Sequence, residues 1–286
     1  MPPINLDGAL DEHSYGEVAS SEDSAGPVLE LPVLDSNAII EKFSVRHDWH
    51  DAVLAFDADG TLWSGDVSDD VFLHACRDGW LLEAARPALS NLAASLGLDS
   101  SGSASHLSMR LFEGHKLGLI GEVELYAAMG WCYAGHTLQE LTDYAENVLL
   151  LENLALRIRP ELSQIIEWAR RQGIGCYVVS ASPTPIVCWA ATHLGFSPDR
   201  VIGTKPKTRH GVIEPEIFDD VPFGANKCKL LRRQSGNLAW MACFGDSEFD
   251  FEMLECADLA VAVSPKPGLI AKLLPLSHAV LLKTCP

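Results

Sequence analysis

Ala52-Val53-Leu54-Ala55-Phe56-Asp57-Ala58-Asp59-Gly60-Thr61-Leu62 is the stretch that decides the fold. Five apolar residues run without a break and stop abruptly at Asp57. An uninterrupted apolar run of this length, closed by a turn signal, predicts a strand covered on both faces, as in a parallel sheet. Its carboxyl end would deliver Asp57 and Asp59 into a loop. Gly60 permits a tight turn there, and Thr61 offers a hydroxyl.

Two later stretches follow the same plan. Ile174–Val179 is apolar and ends at Ser180-Ala181-Ser182-Pro183, and Leu238–Phe244 ends at Gly245-Asp246. Leu259–Val263 reads as another strand, and Arg200–Thr204 and His210–Ile213 as short strands flanking a turn. Helical patterns fall between them at Pro160–Gln172, Pro185–Leu194, Asn226–Gln234 and Phe249–Cys256. Strands alternating with helices predict an α/β fold, a Rossmann-like doubly wound parallel sheet. Ligands of such sheets bind beyond the carboxyl ends of the strands. The polar clusters at Asp57/Asp59, Ser180 and Asp246 are therefore expected on one edge.

Residues 67–159 read differently. Amphipathic helices are expected at roughly 69–82, 83–96, 104–117, 121–134 and 138–151, broken at Gly97, Gly118, Gly121 and Gly135. Thr137 and Glu140 have the spacing of a capping box. The expected organisation is a flexible acidic tail (1–34), a catalytic core (35–66 and 160–286) and an inserted all-helical cap domain (67–159). A short helix is expected at Ser36–Phe43, with Ser36 as its N-cap.

Charge narrows the possible partners. The 286 residues hold 21 Lys and Arg against 39 Asp and Glu, a net charge of −18. Eight of the acids lie in residues 1–35, which hold no Lys or Arg. A general nucleic-acid binder would need the opposite balance, and Lys227, Lys229, Arg232 and Arg233 read as a solvated helix face. A small phosphorylated ligand stays compatible, because a metal ion supplies positive charge locally. The eight cysteines include no CxxC pair and mostly sit among apolar neighbours, which predicts buried thiols in a reducing compartment. No basic-then-apolar leader and no 18-residue apolar run is visible, so a cytoplasmic location without a membrane span is expected. His47 and His50, flanking Trp49, read as structural residues. The aromatic residues of 67–159 read as helix-packing core.

Four carboxylates, Asp57, Asp59, Asp246 and Asp250, would repel one another on a single edge. Asp246 and Asp250 are four apart and share a face if a helix starts at once. A divalent cation would neutralise the group, and oxygen-only ligands favour Mg2+. Lys227, opening a helix after Gly224-Ala225-Asn226, is placed to pair with a carboxylate and a phosphoryl oxygen, with Lys229 as the competing candidate. Ser180 could donate its hydroxyl to a phosphoryl oxygen. A carboxylate nucleophile, a proton donor, a metal and two charge stabilisers are the equipment of phosphoryl transfer.

These residues also carry a resemblance. Asp57-Ala58-Asp59-Gly60-Thr61-Leu62 resembles the DxDGT motif of the haloacid dehalogenase superfamily. Val178-Val179-Ser180-Ala181-Ser182 resembles its second motif, Lys227 its third-motif lysine, and Gly245-Asp246-Ser247-Glu248-Phe249-Asp250 its fourth, GDSxxD. The order is that of the superfamily, and the likeness spans roughly residues 48–280. The helical insertion and the stretch Val261–Pro267 are most similar to the phosphoserine-phosphatase-like branch. The resemblance implies a Mg2+-dependent phosphatase for a small phosphomonoester. Asp57 would form an aspartyl-phosphate, and Asp59 would act as acid and then base. The metal would be held by Asp57, the backbone carbonyl of Asp59 and Asp246, with Asp250 holding its water shell or Lys227. Ser180 and Lys227 would bind phosphoryl oxygens.

Asp66 stands nine positions after Asp57, where phosphoserine phosphatases carry a glutamate for the substrate amine, and a cap-hinge residue is its alternative reading. Arg110 is the candidate for the arginine that binds the substrate carboxylate, against a surface residue of the cap. Trp63 is a candidate pocket wall. Phosphoserine, choline- or ethanolamine-type phosphates and sugar phosphates all stay open as substrates. The rival readings are a phosphotransferase using the same intermediate and a binding module that lost turnover. No signal for oligomeric state is visible.

Overall fold

The computed structural model describes residues 30–45 and 51–285. The chain divides into Met1–Glu30 and Leu31–Pro286, and the second unit is described here. It opens with β1 (Val33–Leu34), α1 (Ser36–Ser44) and β2 (Ala52–Phe56). All five residues of β2 are buried, as its unbroken apolar run predicts. Six helices follow: α2 (Val67–Arg77), α3 (Arg86–Ser95), α4 (Ala104–Lys116), α5 (Glu122–Trp131), α6 (Leu138–Leu151) and α7 (Leu154–Arg157). The alternating part comprises α8 (Pro160–Arg171), β3 (Gly175–Pro183), α9 (Thr184–Thr192) and β4 (Val201–Thr204), then the hairpin β5 (Pro206–Arg209) and β6 (Val212–Ile217). It closes with α10 (Ala225–Ser235), β7 (Ala239–Gly245), α11 (Phe251–Glu255), β8 (Ala260–Val263), α12 (Pro267–Leu273) and β9 (Ala279–Leu282).

Seven strands form one sheet in the order β1-β9-β8-β7-β2-β3-β4, and every neighbouring pair is parallel. From β2 the chain steps outward through β3 and β4, then returns to β7 on the other side. That reversal opens a crevice at the carboxyl ends of the central strands, where doubly wound sheets bind ligands.

Strand side chains alternate between faces, and the two apolar cores separate accordingly. Leu54, Phe56, Val178 and Phe244 join Trp63, Phe72, Leu107, Met129 and Tyr133 in one core, shared with the inserted helices. Val53, Ala55, Val179 and Cys243 join Leu231, Met253, Leu254, Leu269 and Leu273 of α10, α11 and α12 in the other. The rings of Phe56 and Phe244 stack at 4.5 Å across β2 and β7, just behind the strand ends.

Several sequence expectations are corrected. Val33 and Leu34, placed in the tail, form β1 and pair with Leu281 and Leu282 of β9. A two-residue edge strand is too short for periodicity to reveal. The rest of that expected tail, apart from Glu30–Pro32, lies outside the described residues, as do His47 and His50. The N-cap of α1 is Asp35 rather than Ser36, because its carboxylate accepts from Ala38 N at 2.8 Å. The turn of the β5–β6 hairpin takes His210 and Gly211, both at positive φ, so the strand begins at Val212. The capping box of Thr137 and Glu140 is present at the start of α6.

The inserted helices approach the sheet closely at Gly130 of α5. A Cβ there would lie 2.6 Å from Thr204 Cγ2 and 3.2 Å from Ile217 Cγ2. Alanine gains roughly 0.8–1.0 kcal/mol of helix propensity, but overpacking costs about 1–3 kcal/mol. Gly130→Ala is therefore expected to lower the melting temperature in differential scanning calorimetry. A higher-melting variant would contradict this packing.

Candidate active site

Asp57 leaves β2 with its N–H donating to the Phe244 carbonyl at 2.9 Å, so the parallel ladder itself fixes the residue. Its Oδ1 accepts from Lys227 Nζ at 2.5 Å, and the same ammonium donates to Asp250 Oδ1 at 2.5 Å. All three side chains are buried. Lys227 rises from the first turn of α10, placed by Gly224, whose positive φ starts the helix. Burial pushes the Asp57 carboxyl well above the usual carboxylate range, and the Asp250 charge adds to this, while Lys227 opposes it. Burial works against the Lys227 ammonium, yet the charges of Asp250 and Asp57 hold its pKa above the ordinary lysine value.

Asp246 and Asp250 are joined by a turn, not by a helix starting at once. A 3-10 turn spans Glu248–Asp250, and α11 begins only at Phe251. Asp250 Oδ2 folds back to accept from Asp246 N at 3.1 Å, Ser247 N at 3.0 Å and Ser247 Oγ at 3.1 Å. Both of its oxygens are thus engaged, which fits holding Lys227 better than ligating a cation. Lys266, at the end of β8, reaches Asp246 Oδ2 at 3.1 Å. Gly60 carries a φ of +84°, and a Cβ on it would collide with the Asp246 carboxylate. Only glycine lets the first loop pass there.

Asp59 lies two residues on, in a different setting. Its Oδ1 accepts from Trp63 Nε1 and from Val67 N, both at 2.8 Å. Its Oδ2 accepts from Ser182 Oγ at 2.6 Å and Ser180 Oγ at 3.3 Å. Burial, and then the charge of Asp66, raise its pKa to about 7, against the opposing hydrogen bonds from Ser182, Val67 and Trp63. Such a carboxyl exchanges a proton near neutral pH. Trp63, expected as a pocket wall, is fully buried in the core and orients Asp59 instead. β3 continues to Pro183, so Ser180 and Ser182, two apart, share a face, and the register with β4 shifts beside them.

Asp57, Asp59, Asp66, Ser180, Lys227 and Asp246 all line one cavity of about 150 Å³. This is small beside the roughly 300–1,000 Å³ of sites for drug-sized ligands. Asp66 is the N-cap of α2, accepting from Ser68 N, Ser68 Oγ and Asp69 N at 2.7–2.9 Å. Arg110 does not line the cavity. Its guanidinium is held by the carbonyls of Asp99 and Ser101 and the Asp99 carboxylate, in the α3–α4 loop, so the expected substrate contact is corrected. Lys229 pairs with Asp220 outside the cavity, whereas Lys227 lines it. Sequence reading missed Ser182, Lys266, Glu122, Tyr126, Phe223 and Phe249 of the lining. The strand-end rule would have found Lys266, since β8 ends three residues before it.

The donor set suits a hard divalent cation. Ligand oxygens of Asp57, Asp246 and Asp250 lie within 4.8 Å of one another. Asp57 Oδ2 is buried with no hydrogen-bond partner. Three carboxyl groups face two ammonium groups, so a bound cation would compensate the third and favour the ionised form of Asp57.

A family model described as haloacid dehalogenase-like hydrolase matches residues 54–255. No curated protein matches the chain. Among solved structures it is similar to a protein of unknown function from Bordetella pertussis Tohama I, at 18% identity and a TM-score of 0.64, over 81% of this chain and 98% of that one. A functionally unknown protein from Anaerococcus prevotii DSM 20548 is 16% identical, with a TM-score of 0.64 over 87% of this chain and 92% of that one. A probable phosphoserine phosphatase from Vibrio cholerae is 15% identical, with a TM-score of 0.52 over 82% of this chain and 61% of that one. At these identities the likeness is one of fold.

Removing Lys227 would leave Asp57 and Asp250 buried without their cation, a change that typically costs about 3–5 kcal/mol. Lys227→Met is expected to lose stability of that order in denaturant titrations at pH 7.5; wild-type stability would contradict the pairing. Asp66 titrates at about 6 in the folded chain, raised by burial and then by Asp69, against an ordinary value of 3.8. The folded state then binds this proton more tightly, so stability from Asp66 falls as pH rises from about 4 to 6. Asn caps a helix as well as Asp. Asp66→Asn is expected to melt about 2–4 °C above wild type at pH 7.5, with the gap closing near pH 4. A lower-melting variant at pH 7.5 would contradict it.

Proposed function

The chain belongs to the haloacid dehalogenase-like hydrolases, and from that premise we propose that it is a Mg2+-dependent phosphatase acting on a small phosphomonoester through an aspartyl-phosphate. One observation carries the reading: the Asp57 carboxylate lines the cavity with one oxygen held by Lys227 and the other buried and unpartnered. A carboxylate so placed is an oriented nucleophile.

In the first step Asp57 attacks phosphorus in line, and the P–O bond to the leaving alcohol breaks. Asp59 donates its proton to that oxygen, a role that suits its pKa of about 7. In the second step Asp59, now a carboxylate, takes a proton from water attacking the aspartyl-phosphate. Phosphate leaves and both aspartates return to their starting states. Lys227 and Ser180 stabilise charge on the phosphoryl oxygens. Asp57, Asp246 and the backbone carbonyl of Asp59 would hold Mg2+, which when bound supplies positive charge against those oxygens. Asp250 positions Lys227 through its buried ion pair.

Residues 67–159 act in this reading as a cap. Glu122 and Tyr126 of α5 close the cavity from that side, and closure would exclude water while the ester is cleaved. Phosphoserine, amino- or choline-type phosphates and sugar phosphates are the substrate classes the sequence leaves open. The eight free cysteines support a cytoplasmic location. Among the described residues no helix is long and apolar enough to cross a membrane.

Asp57→Asn is expected to abolish turnover and phosphoenzyme formation with p-nitrophenyl phosphate and Mg2+, and EDTA to silence the wild type until Mg2+ returns. A variant retaining more than about a tenth of wild-type activity would sink the nucleophile assignment. Asp59→Asn is expected to slow alkyl phosphate hydrolysis by roughly 10²–10⁴-fold and p-nitrophenyl phosphate less, since that leaving group needs little protonation. Equal, small losses on both substrates would remove Asp59 from acid–base chemistry.

A further inference from the structure

The cavity has a second wall that the chemistry on phosphorus does not use. Tyr126, Phe223 and Phe249 form a continuous aromatic surface, with ring centroids 5.8 Å apart between Tyr126 and Phe223 and 4.3 Å apart between Phe223 and Phe249. All three line the cavity together with Asp66 and Glu122. The two carboxylates share the cavity lining with the first ring, and burial, then the charges of Asp66 and Glu122, push the Tyr126 phenol above its ordinary range. Glu122 Oε2 also lies 3.5 Å from His115 Nε2. Aromatic faces flanked by carboxylates attract a cation twice, through the ring quadrupole and through charge.

The same wall is hostile to a substrate carboxylate. Among the described residues, the only basic groups in the lining are Lys227 and Lys266. Lys227 is bonded to Asp57 and Asp250, and Lys266 to Asp246, all at the phosphoryl end. Arg110 is tied to the α3–α4 loop. A carboxylate on the head group would be desolvated beside Asp66 and Glu122 with no partner.

We propose that the wall of Tyr126, Phe223, Phe249, Asp66 and Glu122 binds an ammonium group, so that the substrate is the phosphomonoester of a short amino alcohol bearing an ammonium and no carboxylate. The proposal rests on the phosphatase reading above and narrows it, setting phosphoserine aside. The small cavity favours a short head group over a bulky one.

The test uses the full-length chain with Mg2+ and compares kcat/KM within isosteric pairs. Phosphocholine is paired with 3,3-dimethylbutyl phosphate and phosphoethanolamine with propyl phosphate; L-phosphoserine and p-nitrophenyl phosphate complete the set. At least one ammonium ester is expected to exceed its uncharged isostere by about tenfold or more, and phosphoserine to be no better than the uncharged esters. The larger ratio tells a quaternary from a primary ammonium. Glu122→Gln and Tyr126→Leu are expected to bring that ratio toward one. Ratios near one in the wild type, with p-nitrophenyl phosphate still hydrolysed, would overturn the head-group assignment and leave the phosphatase reading standing. A preference for phosphoserine would overturn it as well. Failure to hydrolyse any of these esters would overturn both readings.

Discussion

One ammonium group shared by two buried carboxylates is the interaction on which the site depends. Lys227 stands 2.5 Å from both Asp57 and Asp250 in a place where neither acid could stay charged alone. The parallel sheet creates the need by ending β2 and β7 side by side, so that Asp57, just after β2, and Asp250, in the turn after β7, meet in the interior. α10 answers it by starting, at Gly224, where its first turn carries Lys227 into the gap. Asp250 then spends its second oxygen on the turn that presents Asp246. The proposed nucleophile, metal-side carboxylate and phosphate-binding lysine are thus held by one network, whose carboxylates a divalent cation would meet in the proposed reaction.

Two aspartates separated by one residue acquire different chemistry from their surroundings. Asp57 is bound to an ammonium and keeps one bare oxygen. Asp59 meets no cation; it is held by an indole, a backbone amide and two hydroxyls, and by burial near Asp66 its pKa reaches about 7. Four bonds fix its direction while its proton stays exchangeable. The inserted helices contribute to both ends of this division. Val67, at the start of α2, supplies the amide for Asp59, and α5 supplies Glu122 and Tyr126 to the cavity lining.

Much of this was legible in the sequence because it follows from local signals. The apolar run 52–56 became β2 with those bounds, and the strand-end rule gathered Asp57, Asp59, Ser180 and Asp246 at one cavity. What was not legible depends on distant packing. Nothing in Trp63's neighbours says that its indole faces Asp59, and nothing near Arg110 says that loop carbonyls take its guanidinium. Phe223 and Phe249 meet only because the loop before α10 and the turn after β7 lie at the same sheet edge. β1 was hidden because two residues carry no period, and its strand character comes from pairing with β9. Net charge discouraged a nucleic-acid partner but said little of a small phosphate ester, whose charge one lysine and one metal would meet in the proposed reaction.

The central claim is that phosphorus passes through a covalent bond to Asp57. The most direct measurement is borohydride reduction of the enzyme quenched during turnover of p-nitrophenyl phosphate with Mg2+, followed by peptide mass spectrometry. An acyl phosphate at Asp57 is reduced to homoserine, so the peptide containing residue 57 should carry that change, and only when substrate is present. Reduction at another carboxylate, or steady turnover with no reduced residue in the chain, would contradict the account.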